Sequence, residues 1–353
     1  MVLDRVELPI VLAPLAGGPS TPALTAAVCE AGGLGLLATG YLSAAQASDA
    51  IAKTRELTDR PFGINVFVPG EGPAAPSAYA AYVQRLHAWA EKRALPVGSP
   101  EYSDDDWDAK LELLLAERLP VVTFAFGCPD AATLARLKDA GSETWITVTS
   151  PAEARQAEAA GADVLVVQGA EAGGHRASFI DRPDLPAYGL LPLLQMVRRT
   201  IQIPLVATGG IATGEGVAAV LAHGAVAAQI GTAFLLCPEA GTSPAHREAL
   251  VSDEPTQLTR AFTGRLARGI RNRFMAEHAD APVAYPEIHY VTAPLRKYAR
   301  EHGDVDAINL WAGEAHALAR AAPAAEIVAR IASEAASALA AQRQREPSWH
   351  FRR

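Results

Sequence analysis

The stretch LVATGGIATGEGVAAVLAHGAVAAQIGT, residues 205–232, repeats a short apolar run on either side of a helical pattern. The runs LVAT and AAQIGT have the length and composition of strands buried on both faces. The segment from Gly216 to Pro238 carries no charged residue, but its glycines and its change of pattern favour a buried helix and strand over a membrane span. A strand, a helix and a second strand in this order predict a parallel sheet.

The same alternation extends outward along the chain, with alanine-rich helical patterns between apolar runs. Eight strands are predicted, and this is the number that closes an α/β fold into a (β/α)8 TIM barrel. A doubly wound open sheet is the alternative, but the residues after the first strand, LAGGP, do not supply its GxGxxG turn. The predicted strands are Ile10–Ala16, Leu34–Thr39, Phe62–Phe67, Val121–Phe126, Thr144–Thr149, Val164–Gln168, Leu205–Thr208 and Ala227–Thr232.

Two regions depart from the strand–helix repeat and set the domain organisation. A proline- and glycine-rich stretch followed by helical patterning separates the third and fourth strands. We therefore predict a barrel over residues 1–236 with an insertion around 69–118. Residues 237–353 are predicted to form a helical lobe over the active site, together with the closing helices of the barrel and a frayed, charged terminus.

Composition excludes several classes of function. The chain has 31 basic and 39 acidic residues, a net charge of −8, which argues against a nucleic-acid partner. Its three cysteines are far apart and its histidines show no metal-ligand spacing, so neither a disulfide framework nor a metal site is predicted. We expect no signal peptide, no membrane association and a location in the reducing cytoplasm.

Glycines follow the last two predicted strands, where barrels of this kind commonly bind phosphate. Gly209 and Gly210 end the seventh strand, and Gly231 and Thr232 end the eighth. Without a Cβ in the way, several backbone N–H groups can approach the oxygens of one anion. Tight packing where strands enter helices is the alternative for either motif alone. Their occurrence on consecutive strands predicts a phosphate-bearing ligand.

The other strand ends help to choose among sugar phosphates, pyridoxal phosphate and flavin mononucleotide. The backbone of Pro14, Leu15 and Ala16, followed by two glycines, could lie against a flat ring. The amides of Asn65 and Gln168 could bind the edge of a heterocycle, although simple strand-end capping explains them equally well. Pyridoxal phosphate requires a lysine on a strand, and no predicted barrel strand contains one. These observations favour flavin.

A histidine ends the glycine turn in DVLVVQGAEAGGH, residues 163–175. His175 therefore follows a buried strand at the predicted active-site rim, with a side chain able to exchange a proton near neutral pH. The alternative is a histidine that only forms a hydrogen bond in a packed loop. The neighbouring strand ends favour a catalytic role.

Together these motifs resemble the nitronate monooxygenase family, formerly called 2-nitropropane dioxygenases, in its histidine-containing FMN class. The resemblance runs over nearly the whole chain through APLAGGPSTPAL with AGGLG, FGINVFVP, FAFGCP, QGAEAGGHRASF, ATGGIATG, QIGTAFL, TGRLARGIRNRF and NLWAG. It implies FMN-dependent oxidation of alkyl nitronates, and of neutral nitroalkanes, by O2 to carbonyl compounds and nitrite. It makes His175 the catalytic base and places these residues at the flavin: Asn65, Gln168, Gly173, Gly210, Gln229, Ile230, Gly231 and Thr232.

Three positions depart from the family pattern. The family usually has methionine at Leu15, glycine at Ala177, and a glutamine and glycine at Glu314 and Ala315. The last two changes concern substrate preference more than cofactor binding. An FMN-dependent enoyl-thioester reductase that consumes NAD(P)H is the alternative function, and a monomer or homodimer is expected.

The segment Arg260–Arg273 contains five arginines. We interpret it as a surface strap bonded to backbone carbonyls and acidic neighbours, with an anion-attracting patch near the flavin or the substrate entrance as the alternative. Trp311 and Tyr290 are aromatic candidates for the substrate wall, although a core position is favoured for both.

Overall fold

A computed structural model describes residues 1–344, and the charged end of the predicted tail lies outside them. Eleven strands lie within these residues: β1 (Ile10–Leu12), β2 (Gly35–Ala38), β3 (Phe62–Phe67), β4 (Val121–Ala125), β5 (Glu143–Val148), β6 (Val164–Gln168), β7 (Gly174–His175), β8 (Leu205–Thr208), β9 (Ala227–Ile230), β10 (Thr256–Thr259) and β11 (Ala267–Ile270). Eight of them form a parallel sheet in the order β1-β9-β8-β6-β5-β4-β3-β2.

The two edges of this sheet meet. The Leu12 N–H donates to the Leu34 carbonyl at 2.9 Å, and the Leu34 N–H donates to the Ile10 carbonyl at 2.9 Å. These bonds join β1 to the start of β2 and close the sheet, which confirms the predicted (β/α)8 barrel.

Helices surround the barrel and continue into a second layer of structure. Several begin where the sequence signals predict, because Thr21, Ser43 and Ser150 accept a hydrogen bond from the N–H three residues ahead. The helices are α1 (Pro22–Glu30), α2 (Ala44–Leu57), α3 (Pro76–Glu91), α4 (Trp107–Glu117), α5 (Ala131–Asp139), α6 (Pro151–Ala160), α7 (Leu190–Arg198), α8 (Gly214–Ala222), α9 (Pro244–Leu250), α10 (Arg273–Glu277), α11 (Glu287–His302) and α12 (Ala324–Gln344).

The interior of the barrel is apolar at one end and polar at the other. Alternate strand residues face inward, as the two-residue period of a strand requires. Near the strand starts these are apolar, including Val11, Trp145 and Val206, and Val2 of the N-terminal 3₁₀ turn packs over them. Near the strand ends the buried inward positions are polar: Asn65, Thr123, Thr147, Gln168, Thr208 and Gln229.

A second hydrophobic cluster forms the lobe. Tyr82 of α3 packs with Phe262, Phe274 and Ile288, so the first half of the predicted insertion belongs to the lobe. Helix α4 lies in the second half of the predicted insertion, and it instead contacts α2 and α5 in the ring of helices around the barrel. Helix α12 packs on α8 and α1 and completes that ring. A three-stranded antiparallel sheet, β10-β11-β7, joins lobe and barrel.

The predicted strands Leu34–Thr39, Val121–Phe126 and Thr144–Thr149 each end one residue beyond the observed strand, and two others are too long by two residues or more. Residues 13–16 and 231–232 leave the strand ladder and turn at the rim, because glycine and proline there interrupt regular pairing. The strands of the small sheet are not predicted by the sequence pattern. Across residues 1–344, no helix combines the length and apolar character needed to cross a bilayer.

Candidate active site

A cavity of about 580 Å³ lies between the carboxyl ends of the barrel strands and the lobe. His175 and all the predicted cofactor residues except Ile230 line it. They are Pro14, Leu15, Ala16, Asn65, Gln168, Gly173, Gly209, Gly210, Gln229, Gly231 and Thr232. The structure therefore brings these residues from five barrel strand ends to one space.

Ile230 is the exception. Its side chain is 1% exposed and packs in the layer between the strands and the helices. Its carbonyl accepts a hydrogen bond from the Ala13 N–H at 2.8 Å. Because neighbouring strand residues point in opposite directions, the inward position of Gln229 requires Ile230 to face outward.

The glycine loops after β8 and β9 present backbone donors to the cavity. Gly209 and Gly210 have φ values of +117° and +68°, which favour glycine. Within residues 1–344, the backbone N–H groups of Gly210, Gly231 and Thr232 have no hydrogen-bond acceptor. A Cβ added at Gly231 would lie 3.2 Å from Leu15 Cδ2. These loops have the free donors and the close approach that a phosphate group requires.

Two amides at the rim have groups left for a ligand. The Oε1 atom of Gln229 is buried and accepts no hydrogen bond from the described residues. Both N–H groups of Asn65 are used, because Nδ2 donates to Thr123 Oγ1 at 2.8 Å and to the Thr123 carbonyl at 3.2 Å. Asn65 therefore offers its Oδ1 acceptor. A flat heterocycle with N–H donors fits these two acceptors.

Gln168 has a different role. Its Nε2 donates to the His175 carbonyl at 3.1 Å, and its Oε1 accepts from the Ala177 N–H at 2.9 Å. Strand-end capping thus accounts for both ends of this amide, which holds the turn carrying His175.

The lobe also holds this turn. Gly173 cannot carry a side chain, because a Cβ there would lie 2.5 Å from Gly313 N. Strand β7 pairs with β11, with His175 opposite Ala267. The Thr232 Oγ1 accepts from the Gly313 N–H at 3.0 Å, which ties the β9 loop to the lobe.

The His175 ring faces the cavity and is surrounded by aromatic side chains. Its Nε2 lies 2.9 Å from Thr263 Oγ1. The ring centroids of Phe126, Tyr285 and Trp311 lie 5.6, 5.8 and 5.5 Å from its own. Burial first, and then the positive charges of Arg265 and Arg296, lower the pKa of His175 to about 3. The imidazole is therefore neutral at neutral pH.

Helix α11 contributes a cationic wall that the sequence interpretation missed. His289, Arg296 and Arg300 line the cavity. Arg296 donates to the His289 carbonyl at 2.9 Å, and neither arginine has a carboxylate within 4 Å among residues 1–344. Burial lowers the pKa of Arg296 to about 10. The spacing of basic residues at 289, 296 and 300, which share one helix face, was the signal available.

Arginines of residues 260–273 bond to acidic side chains and backbone carbonyls, as predicted for a strap. Arg260 pairs with Asp181 at 2.7 Å, and Arg268 donates to the Ala170 carbonyl at 2.8 Å. Arg265 contacts backbone carbonyls and lies 4.0 Å from the Phe126 ring centroid. The strap is not confined to the surface, because Arg265 and Arg268 are 7% and 8% exposed.

The remaining candidates are placed as follows. Trp311 lines the cavity, and Tyr290 does not. Of the family departures, Leu15, Ala177 and Ala315 line the cavity, while Glu314 pairs with Arg268 at 2.9 Å. The cysteines are free, and residues 1–344 contain no cluster of three or more His, Cys, Asp or Glu that could hold a metal.

Comparison with known proteins adds a consistent result. Residues 3–334 match the sequence profile described as nitronate monooxygenase. A nitronate monooxygenase from Paraburkholderia phytofirmans is 40% identical, over 96% of this chain and 95% of that protein. The structure of nitroalkane oxidase from Streptomyces ansochromogenes is 48% identical with a TM-score of 0.94, over 97% of this chain and 100% of that one. FabK from Thermotoga maritima is 29% identical with a TM-score of 0.75, over 97% and 96%.

Proposed function

Because the chain belongs to the nitronate monooxygenase family, we propose that it is an FMN-dependent oxidoreductase that converts alkyl nitronates and O2 to carbonyl compounds and nitrite. Neutral nitroalkanes are proposed as second substrates. The observation that carries the proposal is a cavity lined by His175, the α11 arginines and the glycine loops of β8 and β9 together.

The residues present fit FMN. Gly209, Gly210, Gly231 and Thr232 would hold its phosphate through backbone N–H groups. The orphaned Oε1 of Gln229 and the free Oδ1 of Asn65 would accept from the ring edge. The backbone at residues 14–16 would flank the ring. When bound, FMN supplies the oxidant that takes electrons from the substrate carbon and passes them to O2.

His175 acts on the proton of a neutral nitroalkane. Its ring, neutral at pH 7, takes the α-proton, and the electron pair of the C–H bond becomes the C=N bond of the nitronate. The imidazolium that forms then stabilises the nitronate oxygens. A pre-formed nitronate has no α-proton to give, so it meets a neutral ring, and the positive charges of Arg265 and Arg296 stabilise it instead.

The charges around His175 favour the anionic substrate. Arg265 and Arg296 are positive and low in exposure, and both lower the pKa of His175. The same field stabilises an anion in the cavity, because Coulomb interactions are strong where water is scarce. We therefore propose that nitronates are better substrates than neutral nitroalkanes.

The cellular setting is proposed from the residues. Three free cysteines suit a reducing compartment, and the cytoplasm is the proposed location. The proposed ligands are a small nitro compound and O2, with the protein as a monomer or homodimer.

The proposal is tested on the purified yellow protein. Flavin released by heating should co-elute with FMN, and ethyl and propyl nitronates should drive oxygen consumption with release of nitrite. NADH and NADPH added without oxygen should leave the visible flavin band unchanged. Rapid bleaching by either would favour the enoyl-thioester reductase, and a colourless protein that binds no FMN would overturn the proposal.

A further inference from the structure

We propose that Thr263 is a positioning residue that holds His175 in the Nε2–H tautomer, so that Nδ1 is the atom that takes the substrate proton. This inference rests on the proposed function of His175 as a base. It adds a residue from the lobe and a choice of ring nitrogen.

The hydrogen bonds of one hydroxyl carry the argument. Thr263 is 1% exposed, and its Oγ1 lies 2.9 Å from His175 Nε2. The same Oγ1 donates its single proton to the Arg265 carbonyl at 3.2 Å. With its proton directed to that carbonyl, the hydroxyl accepts from His175, and on this arrangement we assign the ring proton to Nε2. Nδ1 has no hydrogen-bond partner within residues 1–344, so its lone pair is free.

The position of Thr263 is fixed by the hairpin that carries it. Thr263 lies in the turn between β10 and β11, where its N–H donates to the Arg260 carbonyl at 3.2 Å. The next residue, Gly264, has a φ of +75°, and a Cβ there would lie 2.3 Å from the Ala284 carbonyl oxygen. The turn is therefore held by glycine and close packing.

The same hairpin also holds the backbone of His175. Ala267 of β11 pairs with His175, and the Arg176 N–H donates to the Leu266 carbonyl at 2.8 Å. One hairpin of the lobe thus restrains both the chain and the ring of the base. Such double restraint reduces the rotamer freedom that would otherwise be lost on reaching the reactive geometry.

The tautomer matters for the proton-transfer step. In the Nε2–H form, Nδ1 accepts the α-proton while the C–H electron pair moves into the C=N bond, and the resulting imidazolium still donates to Thr263. In the other tautomer, Nδ1 carries a proton and cannot act as a base. A nitronate that enters already ionised does not use this step.

The test pairs Thr263→Val, which removes the hydroxyl at similar volume, with Thr263→Ser, which keeps it. Thr263→Val should lower kcat/KM for nitroethane by ~10–100-fold, mainly in kcat, because the base is lost in part. It should leave ethyl nitronate turnover within ~3-fold, because only electrostatic stabilisation is used there. Thr263→Ser should restore most of the nitroethane activity.

Thr259→Val is the matched control. The Thr259 hydroxyl lies in the same hairpin and accepts from the Ala261 N–H at 3.0 Å, so its loss perturbs the hairpin without touching His175. Nitrogen NMR of the ¹⁵N-histidine-labelled wild-type holoenzyme should show a protonated Nε2 and a bare Nδ1 for His175.

Three results would overturn the inference: equal losses on nitroethane and ethyl nitronate in Thr263→Val, the same substrate split in Thr259→Val, or an Nδ1–H signal in the wild type. Failure of the proposed function is distinguishable, because the wild type would then oxidise neither substrate. The NMR measurement decides the tautomer even if Thr263→Val does not fold.

Discussion

The cavity has two walls built from different chemical groups. The barrel wall presents backbone N–H groups and uncharged amides, as at Gly210, Gly231 and Gln229. The lobe wall presents the indole ring of Trp311 and the two arginines that line the cavity, Arg296 and Arg300, both from α11. His175 lies between them, on a barrel loop that pairs with a lobe strand.

This difference assigns separate tasks to the two walls. Backbone donors on a closed barrel are rigid and suit a cofactor that stays bound. Buried cations on a single helix set the charge that a transient substrate meets. Changes on the barrel wall should therefore alter cofactor binding, and changes on the lobe wall should alter substrate charge preference and pH dependence.

The largest effect is expected at the junction of the two walls. His175→Asn should lower kcat/KM for neutral nitroalkanes by ~10²–10⁴-fold, the usual contribution of a general base. Nitronate turnover should fall much less, because no proton has to be removed. Oxygen consumption with nitroethane and ethyl nitronate measures both, and equal losses would contradict the role as a base.

A backbone change tests the barrel wall. Gly210→Ala should weaken FMN binding by ~10-fold, because alanine is strained at a φ of +68° and its Cβ would lie 3.0 Å from Glu171 Cβ. Gly141→Ala is the matched control, with a φ of +96° and open space around its Cβ, away from the cavity. Equal FMN affinity in both variants would argue against a phosphate site at Gly210.

A charge change tests the lobe wall. Arg296→Met should raise KM for ethyl nitronate by ~3–10-fold, because a cation near the anion is lost. With the wild type, the base form of His175 predominates above its pKa of about 3, so nitroethane activity should not decline on the acid side between pH 8 and pH 5.

In the wild type, nitroethane activity should decline only as the pH approaches the His175 pKa of about 3. Arg296→Met should move this decline to higher pH, because Arg296 is one of the charges that lower the pKa of His175. Arg300→Met is the control, since Arg300 does not contribute to that shift. An acid-side decline near pH 6.5 in the wild type would show that His175 titrates with an unperturbed pKa.

The smallest effect is a difference in acid stability between lobe and barrel. Burial lowers the pKa values of His246 and His278, both in the lobe, to about 4. Between pH 6.5 and 4, both histidines are protonated in the unfolded chain and neutral in the folded lobe. As the pH falls through this range, the free energy of unfolding therefore decreases by about 1.4 kcal/mol per pH unit for each histidine.

Hydrogen exchange measures this difference. Between pH 7 and pH 5, protection corrected for intrinsic rates should fall more in α11 and β10–β11 than in β3–β6. Equal changes in the two regions would contradict a lobe that is selectively weakened by acid.

What the sequence could predict follows the same division. Strands such as Phe62–Phe67 and Val164–Gln168 have the predicted bounds, because residues buried on both faces give uninterrupted apolar runs. The glycines of the barrel wall were predicted from sequence, because a site made of backbone N–H groups needs glycines directly after its strands. The outward position of Ile230 was also available, from the two-residue period that turns Gln229 inward.

The site residues of the lobe wall could not be predicted from local sequence patterns. Thr263 meets His175 only because β11 pairs with β7, and strand register between distant segments leaves no local pattern. Arg296 lies on an ordinary amphipathic helix, and its lack of a carboxylate partner is visible only in three dimensions. Side-chain function assembled across the fold therefore required the structure.

The hydrogen bond from the Gly313 N–H to Thr232 Oγ1 joins the lobe to the β9 loop, at the proposed phosphate site. If binding at this loop favours that contact, the contact favours binding by the same factor. Flavin affinity and the stability of the docked lobe would then rise or fall together.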